Sequence, residues 1–68
     1  MIKITIASKT VDSSFVEEHA GFEVGGTAYY IIRESGKRLS LFYDSENAAL
    51  EVAWSLVKHY GLTLVEPW

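Results

Sequence analysis

Ile2, Ile4 and Ile6 alternate with Lys3, Thr5 and Ala7 at the start of the chain. A period of two with β-branched residues on one side predicts a strand with one buried face. Residues 8–11 read as a connection. Asp12-Ser13-Ser14 then offers helix N-cap side chains, followed by Phe15-Val16-Glu17-Glu18 and Gly21. Acids early and a glycine at the end favour a short helix over roughly 13–20. The competing reading is a second strand over 15–24, since Phe22-Glu23-Val24 also alternates. Gly25-Gly26 marks the clearest break, a turn or a bulge entering the next strand.

The most strongly patterned stretch is 27–61. Aromatic and β-branched residues predict strands at 27–34 and 38–43, and Ser35-Gly36-Lys37 between them is a hairpin signal. A two-residue loop places Tyr30, Ile32, Leu39, Leu41 and Tyr43 on one face and makes that face the floor for a helix. Tyr29, Ile31, Arg33, Arg38, Ser40 and Phe42 then share the other. A three-residue loop with a bulge changes this grouping. The helix begins at Asp44 or Ser45 and ends at Gly61, with Glu46 in its first turn and Lys58-His59 in its last. Ala49, Leu50, Ala53, Leu56, Val57 and Tyr60 form its apolar face, with Val52 and Trp54 on the margins. Leu62 to Glu66 alternates briefly and predicts a final strand before Pro67 and Trp68.

This order predicts an α+β fold: a small antiparallel sheet of three to four strands with one helix, about 45–60, packed on one face. The arrangement βαββαβ, with ferredoxin-like connectivity as its simplest closed form, is expected. The 68 residues make one domain, 1–68, near the lower limit for folding alone. Without cysteine it can have neither a disulfide staple nor a thiolate zinc site. A hydrophobic content of 49% makes a core feasible and argues against disorder. No segment approaches the ~20 apolar residues of a membrane span, and the start of the chain lacks the apolar run of a signal peptide. A cytoplasmic protein with no membrane association, monomeric or homodimeric, is therefore expected.

The search for chemistry excludes more than it finds. Glu17, Glu18 and His19 are contiguous, so on a helix they point about 100° apart and do not converge on one ion. The segment Gly21 to Gly26 lacks the lysine and hydroxyl of a phosphate loop. No catalytic, cofactor or metal site is expected. The one suggestive constellation is the aromatic and basic sheet face formed by Tyr29, Arg33, Arg38 and Phe42, suited to stacking and phosphate contacts. Its plain alternative is a face covered by the N-terminal segment or by a second subunit. Trp54 and Trp68 are candidate interface anchors. Asp12, Glu17, Glu18 and Glu23 fall in a stretch without a basic residue between Val11 and Arg33, a candidate contact patch or an ordinary solvated surface.

Residues 28–60 run strand, Ser-Gly-Lys-Arg, strand, Asp-Ser-Glu-Asn-Ala-Ala, helix. This layout resembles that of integrase arm-type and plant ethylene-response DNA-binding domains. The resemblance implies that the sheet face opposite the helix enters DNA, here through Tyr29, Arg33 and Arg38. In size, acidity and lack of a catalytic constellation the chain also resembles the small inhibitor proteins of phages and mobile elements, anti-CRISPR proteins among them. A net charge of −3 disfavours broad, charge-driven nucleic-acid binding. The expected function is therefore that of a small acidic, non-enzymatic protein that binds a partner protein, such as an inhibitor of a nucleic-acid-handling complex. The alternative is a nucleic-acid-binding module that uses the Tyr29/Arg33/Arg38 face.

Overall fold

The structure, a computed structural model, describes residues 2–65. It is a small α+β domain with a three-stranded mixed sheet and one main helix. Strand β1 (Lys3–Thr10) is central, β2 (Thr27–Arg33) pairs with it antiparallel, and β3 (Thr63–Leu64) pairs with it in parallel on the other side. Helix α1 (Ser13–Glu18) lies between β1 and β2, and helix α2 (Glu46–Tyr60) between β2 and β3. The expectation of an antiparallel sheet is corrected by the β1–β3 pair. The ferredoxin-like order is corrected as well, because β1 and β2 are direct antiparallel neighbours instead of parallel strands separated by another. The residues expected to connect after the first strand, Ser8 to Thr10, continue it, paired with Thr27 to Tyr29.

Local chemistry accounts for the elements. Ile4 and Ile6 are buried while Lys3 and Lys9 are exposed, as the alternation demands. The Asp12 side chain accepts from the Phe15 N–H at 2.8 Å and caps α1, which settles 13–18 as helix. A helix of six residues cannot stand on propensity alone. Its excursion is closed at the base, where the Val11 N–H donates to Gly26 O at 2.9 Å and the Gly25 N–H to Val11 O at 2.8 Å. Ser45 Oγ accepts from the Ala48 N–H at 3.2 Å at the start of α2. Gly61, at φ 66°, ends it in the left-handed conformation that glycine adopts without steric cost.

Two cores sit on opposite sides of the sheet. Ile4, Ile6 and Ile31 pack beneath Ala49 and Ala53 of α2, with Tyr29, Tyr43, Leu50, Val52, Leu56 and Val57 around them. Both alanines are fully buried, so the helix lies close on the sheet. On the other side Val11, Phe15 and Ala28 form a smaller core flanked by Val16, Phe22 and Phe42. Tyr60, expected on the buried stripe, is 73% exposed at the last turn of α2. There the helix has run past the sheet floor.

The hairpin differs from expectation in a way that redistributes side chains. The Arg33 N–H donates to Lys37 O at 3.0 Å, closing a three-residue loop in which Gly36 takes φ 91°. Ile32 then opposes Arg38 and Tyr29 opposes Tyr43. From Ile32 back to Tyr29 is three positions, whereas from Arg38 on to Tyr43 is five, so the returning chain bulges by two residues. At the bulge the Ser40 hydroxyl accepts the Ile31 N–H at 2.9 Å, replacing a ladder carbonyl. Leu41, expected on the helix floor, is thrown outward and is 75% exposed. Residues 38–43 therefore form two isolated bridges and not a regular strand.

At the far edge, the Val65 N–H donates to Ile4 O at 2.8 Å and Thr5 Oγ1 to Val65 O at 2.7 Å. Among the described residues no strand lies beyond this point alongside 6–10 of β1. The part of the expected last strand at Glu66 lies outside the described residues.

Candidate functional site

The loop of three residues splits the expected aromatic and basic face. Tyr29, Ile31 and Arg33 oppose Ser8, Ile6 and Ile4, so they share the side covered by α2. Tyr30, Ile32, Arg38 and Phe42 lie on the other side. The grouping of Tyr29 and Arg33 with Arg38 and Phe42 is thus corrected: two are under the helix and two are not. The floor of α2 is formed by Tyr29, Ile31 and Tyr43 instead of Tyr30 and Ile32.

On the side free of α2, Phe42 is the centre of an aromatic cluster. Its ring lies 4.8 Å from Phe15, 5.0 Å from His19 and 5.2 Å from Tyr30, all near edge-to-face. Phe15 in turn meets Phe22 at 5.0 Å. Two cations rest on this cluster. The Arg38 guanidinium lies 4.3 Å from the Phe42 centroid, and Lys9 Nζ lies 5.1 Å from Phe15 and 6.0 Å from Phe42. Lys9 was not among the residues the sequence pointed to. The signal was present, however: the alternation that puts Ile4 and Ile6 inward puts Lys3, Thr5, Ala7 and Lys9 on the opposite face.

The acids are placed differently. Asp12 spends its carboxylate on the α1 cap, while Glu17, Glu18 and Glu23 are exposed around α1. Among the described residues the single acid–base contact is His19 Nε2 to Glu18 Oε2 at 4.0 Å. No group of three histidine or acidic side chains gathers in metal-binding geometry among them.

A third feature lies at the C-terminal end of α2. Ile2, Arg33, Leu39, Leu56, Tyr60 and Leu62 line an apolar groove of about 490 Å³. Arg33 is therefore the charged residue of a mostly aliphatic groove, not part of the basic sheet face. Trp54 is half exposed on the α2 flank, about 160° around the axis from the Leu56 side that meets the groove. Trp68 lies outside the described residues. No described helix is long and apolar enough to cross a membrane. Comparison with protein-family models, with curated proteins and with solved structures returned no match to this chain.

Proposed function

We propose that this chain is a small non-enzymatic binding protein that acts by covering part of a partner protein's surface. The observation that carries the reading is the groove at the end of α2. Leu39 and Tyr60 stand on its rim, and Ile2 beside them is 44% exposed. Apolar side chains left outside in a chain this short, gathered around a concavity with one arginine, suit a protein contact better than solvent. The exposed Glu17, Glu18 and Glu23 supply a second, acidic surface, complementary to a basic groove of the kind that nucleic-acid-handling complexes present. An inhibitor of such a complex is the more specific form of this reading.

The test is co-purification from the native host with tagged wild-type chain, Tyr60→Glu with Leu39→Glu, and Glu17→Lys with Glu18→Lys. The reading expects a stoichiometric partner retained by wild type and lost by the groove variant. Loss with the acidic-patch variant as well supports a basic partner. Retention by both folded variants overturns the groove reading. A concentration-dependent homodimer that the groove variant dissolves assigns the surface to self-association instead.

A further inference from the structure

The side of the sheet free of α2 carries a concentration of positive charge that the net charge conceals. Of the six lysines and arginines, Lys3 and Lys9 lie on this side by strand alternation, and Arg38 by its pairing with Ile32. Lys37 opposes Arg33 in the hairpin and belongs to the α2 side. Lys9 and Arg38 are held on aromatic rings instead of carboxylates: none of these cations has an acid within 4 Å among the described residues. A ring positions a cation without neutralising it, so the charge stays available to an anion.

Half-buried Tyr30 lies in register between Ala28, opposite Lys9, and Ile32, opposite Arg38, with its ring 5.2 Å from Phe42. From Lys3 to Lys9 the face runs about 20 Å along β1, at ~3.3 Å per residue. We infer that this face binds single-stranded nucleic acid, with Lys9 and Arg38 on consecutive phosphates and Tyr30 as the stacking platform for a base. An acidic peptide offers nothing to the flat rings that line the cations. A duplex has its bases closed away from the rings. The inference is independent of the groove on the other side of the sheet.

Fluorescence anisotropy of the intact chain with a labelled oligothymidylate of about 15 nucleotides tests it. Three phosphate contacts give a logarithmic salt slope of roughly −2, about a fourfold loss of affinity for each doubling of salt. Arg38→Glu and Lys9→Glu should each weaken binding about tenfold or more, and Tyr30→Ser several-fold. Lys58→Glu, on the solvent side of α2, should leave it unchanged. Lys3→Glu, on the same face of β1 and away from the rings, should weaken binding without disturbing the aromatic cluster. It keeps the test decisive if the Lys9 or Arg38 variants unfold. Absence of binding by the folded wild type at low salt overturns the inference. So does equal affinity for duplex or for polyglutamate, or a loss with Lys58→Glu matching that with Lys3→Glu.

Discussion

On one side of the sheet Ile4, Ile6 and Ile31 meet Ala49 and Ala53; on the other, Phe42 meets Phe15, His19 and Tyr30 near edge-to-face beneath two cations. The first side is aliphatic and closed by a fifteen-residue helix. The second has a helix of only six residues, which covers part of it. Aliphatic packing is non-directional and gains mainly by excluding water. The aromatic side holds shape through edge-to-face geometry and keeps charged groups at its surface. The difference separates a side that stabilises the fold from a side with chemistry left over for a ligand.

Substitution at the closed side should cost most. Ile31→Ala removes a fully buried side chain between β1 and α2, at about 4 kcal/mol. A chain of this length has only ~3–10 kcal/mol in total, so urea titration should show a large loss of midpoint or no folded baseline. Phe15→Ala should cost about 3 kcal/mol and, if the two sides are separable, melt α1 while α2 persists. Amide exchange would see protection lost at His19 and Val16 but kept at Ala53. Uniform loss across both regions would show that the sides fold as one unit.

Smaller changes sharpen the picture. Ser40→Ala strands the part-buried Ile31 N–H at the bulge and should cost ~1–2 kcal/mol by thermal melting. Ser45→Ala removes the α2 cap, for about 1 kcal/mol, visible as fraying in the helical circular dichroism. Arg38→Gln takes the guanidinium off Phe42 and should cost no more than ~0.5–1 kcal/mol, because the ring remains packed on Phe15 and Tyr30. A larger effect would place Arg38 in the structural half of the comparison.

What the sequence made legible follows the same division. The bounds of α2 could be read from Ser45, Glu46, Lys58-His59 and Gly61, because capping is local chemistry and was found as expected. The inward face of β1 could be read from its isoleucines, and the short α1 from Asp12. The register of 38–43 could not. It depends on which of the two loop lengths the segment allows is taken, the three-residue one, and on a hydroxyl, Ser40, standing in for a backbone carbonyl. Neither leaves a mark in hydrophobic periodicity, and one residue of slip exchanges the two faces of the returning segment. That slip took Tyr29 and Arg33 to the helix side and left Arg38 and Phe42 opposite. The idea of an aromatic and basic face was legible; its membership required the register. The mixed sheet was equally hidden, since a two-residue parallel pairing across most of the chain has no local signature.

That pairing also has a consequence in time. β1 and β2 can join as soon as the chain is complete through Arg33, but the neighbour on the other side of β1 does not exist until Val65 has been made. At ~5–20 residues per second, a ribosome needs roughly 2–6 s to add the stretch between them. For most of that interval the isoleucine-bearing β1 strand has a whole free edge and an incomplete α2. The nascent chain is therefore most prone to pair with the wrong strand before its last residues emerge, and slowing synthesis across 34–65 should raise the aggregated fraction.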